Sequence, residues 1–348
     1  MKKINDFFEV SDDCVFRLIS EMELEVYDGT ALAVKDGAVA RAVTNGAIAH
    51  AWHSNAVAEA CVRGSKAVAM KAGAKARALV SGSKATAMAD DSIAEALADG
   101  AVAKACENGA TAKAMSAGSV AEALVEGAVA RACENGSVAE ASVEGSVAEA
   151  LVDGSVAKAM EAGAKAKAVA DGAIAVAWRS NTIAEACTRG SVAKAMKSGA
   201  RAEPKVDGSE ARAMEYLAIA HAMASGATAK AMVECAVARA VADGAIAESH
   251  AAWAIAQAIS RLSIARSCAF GARAEALVEG AVAEACVRGS KAVAMKAGAV
   301  AEAMVDGAIA EALSDGAVAK AMAAGAIAQA FVRGSVAEAL VDGAIAES

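Results

Sequence analysis

Four histidines are the first residues to weigh, because imidazole binds metals and moves protons near neutral pH. They are His50, His53, His221 and His250. His50 and His53 flank Trp52 and are spaced to meet on one outer edge of an extended structure. A zinc site needs a third ligand at a matching height. Glu59 is the nearest candidate, but the repeat described below sends it to an opposite sheet. The histidines are therefore read as surface decoration. The eight cysteines contain no CxxC pair, and seven sit inside repeats, mostly at a position that also takes Leu and Met. They are read as reduced thiols serving as small apolar residues, not as disulfides or metal ligands. There is no Ser/His/Asp set, P-loop, dinucleotide fingerprint or HExxH motif. Glu140 and Glu149 share their repeat position with Lys158 and Lys167. That mixture reads as a solvated charge ladder, not as paired carboxylates for acid–base work. The chemistry-bearing residues thus predict no catalytic site, no cofactor and no bound metal.

The elements that hold these residues are unusually uniform. Apolar residues make up 57% of the 348-residue chain but aromatics only 3%, with a single proline. The apolar mass is largely alanine, so stability must come from many small repeated contacts. From Asp28 a nine-residue unit runs unbroken through 36 copies, the last cut short. Its first position is Gly, its second Ala or Ser, its third Val or Ile. Ala fills the fourth and sixth positions and a charge usually fills the fifth. Leu, Met or Cys is common at the seventh, and Asp, Asn or Glu at the ninth. So short a fixed period means a solenoid or fibre.

A helical reading exists, since GSVAEALVDG has a Ser cap, a Glu three residues on and a Gly stop. Each such helix would be under two turns, and helices that short are marginal. The alternation of small and charged residues fits strands better, with alanine in and charge out. Asp-Gly and Asn-Gly at the unit boundary are turn signals. Asn55, Asp91 and Asn181 replace that glycine, and they tolerate positive φ best among other residues. Leu217, Cys235, Trp253 and Leu262 also occupy the glycine slot, and the first three are spaced two units apart. An 18-residue rung of two units would stack those three on one edge. The predicted fold is all-β: a single-chain parallel β-solenoid, or β-roll, with two nonapeptides per rung and a thin alanine-lined core. The calcium motif GGxGxD of other nonapeptide β-rolls is absent.

Residues 1–27 differ, with Phe7, Phe8 and Phe16 among the five phenylalanines. They are read as an N-terminal capping segment, a short helix followed by a strand at Met22–Val26, ahead of the 28–348 solenoid. Covering the first rung removes an open strand edge that would template aggregation. The sequence stops at GAIAES within a unit and without a cap, which suggests end-to-end pairing. With Val120, Val129 and Val138 among the third-position residues, both broad faces should carry apolar ladders, a common mark of an interface, unless neighbouring Lys and Glu stems shield them.

The steps GSVA at Gly145–Ala148 and Gly154–Ala157, and GAKA at Gly163–Ala166, resemble the head repeats of trimeric autotransporter adhesins, although the period differs. The resemblance implies a left-handed β-roll that oligomerises and an adhesive role.

The net charge of −8 with no basic patch argues against nucleic-acid binding. The mixed signs at the fifth position argue against mimicry of DNA. No apolar run is long enough for a membrane helix. No secretory signal is legible, so a cytoplasmic location or an intracellularly made assembly is expected. Ice binding would want threonine at the third position, where only Thr30, Thr111 and Thr228 stand. The function expected is a non-catalytic, self-associating rod or scaffold, forming homo-oligomers laterally or end to end. The alternative is an adhesin-like or ice-binding module. The most individual stretch is 204–270. There Tyr216, Leu217, Cys235, Trp253 and Phe270 are predicted to line one edge as a contact surface, for a second copy or for another protein or surface.

Overall fold

The computed structural model describes residues 30–348 and, before them, the backbone of Phe16–Leu18 and Glu23–Val26. Every regular element among the described residues is a β-strand. The chain forms two compact units, residues 1–174 and 175–348. Each is a parallel β-solenoid.

In the first unit, one strand occupies positions three to six of every nonapeptide, as in Val147–Ala150 and Val156–Ala159. Consecutive strands belong to opposite sheets. Each pairs in parallel with the strand two nonapeptides later, so Val147 faces Lys165 and Ala148 faces Ala166. One rung is therefore two nonapeptides, as the spacing of Leu217, Cys235 and Trp253 implied. The second unit repeats this register, with Ile246 facing Ile264 and Ala247 facing Ala265.

Glycine at the first position is explained by the turn. The amide of Ser146 bonds the carbonyl of Val143, closing a four-residue turn at 3.2 Å. Gly145, its third residue, has φ +73°. A turn with positive φ at that place needs glycine or a residue that tolerates the left-handed region. Asn55, Asp91 and Asn181 take φ of 61°, 55° and 59°. The choice of Ala or Ser at the second position also has a cause. Buried Ser65 donates its Oγ to the Val62 carbonyl at 2.6 Å and accepts from the Val62 amide at 3.2 Å. The hydroxyl closes the turn from within, so burying it leaves no unpaired polar group.

The core is the alanine ladder of the second, fourth and sixth positions, with Ala148 and Ala150 fully buried. At the outward positions the shielded alternative holds. The third-position valines and isoleucines are half-buried along most of each unit, and only Val336 and Ile345 count among the exposed large apolar groups. The cover comes from the fifth position. On the second sheet of the first unit, Glu59 sits between Arg41 at 2.9 Å and Arg77 at 3.4 Å. Glu95 continues the column with Arg77 at 3.3 Å and Lys113 at 3.7 Å. Charges that alternate from rung to rung lie along the sheet, and their stems shield the neighbouring apolar row.

At the N-terminal end, Phe16–Leu18 pairs with Thr30–Leu32 and Glu23–Val26 with Val39–Ala42, both in parallel. The strand expected at Met22–Val26 is thus found at Glu23–Val26, and a further strand precedes it. Here the paired strands are closer in sequence than two full nonapeptides. The expected short helix and the rest of the capping segment lie outside the described residues.

Candidate functional edge

Two kinds of turn alternate along the chain. Within each unit, turns from the sheet of Ile48–Ala51 or Ile246–Ser249 to the other sheet form a first edge. The return turns form a second edge. The seventh to ninth positions and the glycine slot make these edges, where the side chains leave the core.

In the second unit the fold places Tyr216, Leu217, Cys235, Trp253 and Phe270 all on the first edge, because whole rungs separate Tyr216 from Phe270 and Leu217 from Cys235 and Trp253. Leu217, Cys235 and Trp253 carry φ of 56°, 57° and 60°. Leu262 does the same on the second edge, with φ 56°. An L-residue in that region costs roughly 1–2 kcal/mol. The side chains do not recover this cost by burial: Trp253 is 64% exposed, Leu217 49%, Tyr216 51% and Phe270 68%. The rings lie along the edge over the glycine of the next rung. A Cβ on Gly289 would collide with the Phe270 ring, and one on Gly271 would come within 3.9 Å of Trp253. Gly289 therefore serves two ends: the turn itself, and a flat seat for the Phe270 ring below.

Pro204 enters this region through an inward slot and is fully buried. It keeps its pairing toward Ala186, but toward the next strand the register reaches only Arg201 with Ile219 and Ala202 with Ala220. A proline has no amide to give to the following rung, so the ladder is interrupted beside His221.

The histidines are spread over the fold, and His50 and His221, read as surface decoration, are half-buried. The His50 ring is tilted against Trp52 at 6.5 Å, and His53 contacts the Ser54 carbonyl at 3.1 Å. Glu59 is held by Arg41 and Arg77 on the other sheet. His250 contacts Glu248 at 2.9 Å. His50 and His221 are both held below the ordinary imidazole value of 6.5 by burial. Around His221 the nearby charges are Arg239, Glu203, Arg201 and Lys205, with Arg239 Nη1 3.4 Å from the ring. Among the described residues no three His, Cys, Asp or Glu side chains converge as a metal cage. No helix among them is long and apolar enough to cross a membrane.

A pH dependence follows. A histidine whose folded pKa lies below its unfolded value leaves the unfolded chain holding more protons, so stability falls as pH drops through 6.5 and below. We expect thermal unfolding of the full chain to shift down between about pH 7.5 and about pH 5.5. The shift should be smaller in His221→Gln, since Gln257 already occupies the same column two rungs on. Equal shifts in both proteins would exclude His221 as a source.

One arrangement escaped the reading of the sequence. Cys268 and Cys286 are two units apart at the seventh position, so they stack on adjacent rungs of the first edge. The rung length that ordered Leu217 and Trp253 would have found them.

No family model and no curated protein matches the chain. Among solved structures it is similar to a crystal structure of a TibC-catalysed, hyper-glycosylated TibA fragment. That likeness has a TM-score of 0.24 and 14% identity, over 95% of this chain and 96% of the other.

Proposed function

We propose that this chain is a non-catalytic structural repeat protein, a scaffold that associates with copies of itself through the first edge of its second unit. The observation that carries the reading is the backbone of Leu217, Cys235 and Trp253. The fold asks for glycine at all three, and places three L-residues there in succession at positive φ. Strain kept at the exposed Leu217 and Trp253 points to a use outside the folded unit itself. Exposed Trp and Tyr with apolar neighbours are the usual anchors of a contact. A second copy suits the surface better than a small ligand, because the aromatic groups lie along a flat edge instead of lining a cleft. The charged side chains favour a structural role too, since along the sheets they are spent in ion pairs such as Arg266 with Glu284 at 2.7 Å.

The double variant Leu217→Asp, Trp253→Asp tests this by sedimentation velocity. The parent is expected to associate with rising concentration and the variant to remain monomeric. A parent that stays monomeric, or a variant that associates equally well, would overturn the reading.

A further inference from the structure

The seventh position of the first edge has a composition of its own in the second unit. Reading up the rungs, it holds Met214, Met232, His250, Cys268, Cys286 and Met304. The same position on the second edge holds Met223, Val241, Ile259, Leu277, Met295 and Leu313 in the matching rungs. Methionine fills the place on both edges, but Cys268 and Cys286 are the one pair of cysteines among the described residues that stand on adjacent rungs of the same edge.

Ladder hydrogen bonds hold the column in register. The His250 amide bonds the Ala231 carbonyl at 2.8 Å, and the Cys268 amide bonds Ser249 at 2.8 Å. The Cys286 amide bonds Ser267 at 3.0 Å, and the Met304 amide bonds Ala285 at 2.9 Å. Each donor therefore stands one strand spacing from the next. Cys268 and Cys286 are both half-buried and directly follow Ser267 and Ala285, which pair across adjacent rungs, so the two thiols stand side by side at one strand spacing. The inward residues beside them also depart from the repeat. Ser249 and Ser267 replace alanine and donate to the carbonyls of Arg266 and Glu284, at 3.2 Å and 3.1 Å.

We propose that Cys268 and Cys286 form a two-coordinate thiolate site for a thiophilic monovalent cation, Cu(I) or Ag(I), with His250 and Met304 on the rungs to either side. Cysteine and methionine sulfur select such ions over hard cations. The span fits a linear bridge: metal–sulfur bonds of about 2.3 Å place two sulfurs about 4.6 Å apart, against about 4.8 Å between strands. Rotation about the two χ1 angles brings the sulfurs to that separation. On binding, each thiol releases its proton to solvent and two sulfur–metal bonds form, with no change in oxidation state. The resulting bis-thiolate centre carries one net negative charge beside Arg266, whose guanidinium is also paired with Glu284 at 2.7 Å and Glu248 at 3.7 Å.

The test uses the full chain, reduced and handled without oxygen, titrated with Ag(I) and with Cu(I) against a competing chelator. Native mass spectrometry counts the bound ions, and the ultraviolet thiolate charge-transfer band reports sulfur ligation. We expect one tightly held ion per chain. Cys268→Ser and Cys286→Ser should each weaken it by more than the about 100-fold typical of losing a supporting outer-shell group. Cys187→Ser, on the second edge, should leave it unchanged. Circular dichroism of each variant verifies the fold, and Cys286→Met, which keeps a neutral sulfur beside the Cys268 thiolate, should retain weaker binding with a diminished charge-transfer band. Tight binding that survives the Cys268→Ser, Cys286→Ser double substitution would overturn the proposal. So would recovery of a Cys268–Cys286 disulfide in place of metal under these conditions.

Discussion

Ala148→Leu is expected to destabilise the first unit by about 1–3 kcal/mol through overpacking. Ala148 is fully buried and stacked in register between Ala130 and Ala166. Its fourth-position neighbours above and below are alanines too, so an isobutyl group has no gap to enter along the ladder. The opposing sheet is lined in the same way, with Ala139 and Ala157 fully buried. Room for leucine could come only from spreading the two sheets, which would open voids around the alanines of adjacent rungs. The outward neighbour gives the control: Val147→Leu, on a half-buried face, should change stability by less than about 0.5 kcal/mol. Repeat arrays lose strict two-state behaviour, so a single midpoint is a poor reporter. Hydrogen exchange localises the effect, with protection expected to fall first in the rungs that contain Ala130, Ala148 and Ala166. Unchanged protection in Ala148→Leu would mean that the thin core is not close-packed.

The alternation of alanine and charge was enough to read the fold, because a period of nine with a fixed glycine leaves the strand few choices. Asn55, Asp91 and Asn181 were legible as turn residues for the same reason, since their side chains tolerate the left-handed backbone. The rung length came from three exceptions, Leu217, Cys235 and Trp253, and not from the regular units, which look alike at any multiple of nine. Other features needed the sequence to be read in columns, one rung above the next. The column Arg41, Glu59, Arg77, Glu95 alternates in sign between adjacent rungs, while along the chain the charges look merely mixed. That alternation half-covers the apolar faces, so the valine ladders are less available than their count implied. Cys268 and Cys286 look scattered among eight cysteines until they are placed one above the other. The shortened registers at Phe16 and Glu23 have no counterpart in the repeat, and no rule drawn from it could anticipate them.

The contact edge can be separated from the fold by a substitution whose two effects differ in sign. Leu217→Gly together with Trp253→Gly should stabilise the second unit by about 1–2 kcal/mol. Each change relieves roughly 1–2 kcal/mol of left-handed strain and loses about 0.4–1 kcal/mol to the greater freedom of glycine in the unfolded chain. The residues stand two rungs apart with Cys235 between them, so their effects should add closely. The same variant should weaken self-association by at least about tenfold, the loss expected when a buried anchor worth more than about 1.4 kcal/mol is removed. Denaturant unfolding and sedimentation on the same protein give both quantities. Were Leu217 and Trp253 retained for packing within the unit, stability would fall and association would hold. Were they incidental, stability would rise and association would be unchanged. A rise in stability with a loss of association is the outcome that ties the strained backbone to the partner copy, because only then is the cost borne by the folded unit recovered outside it.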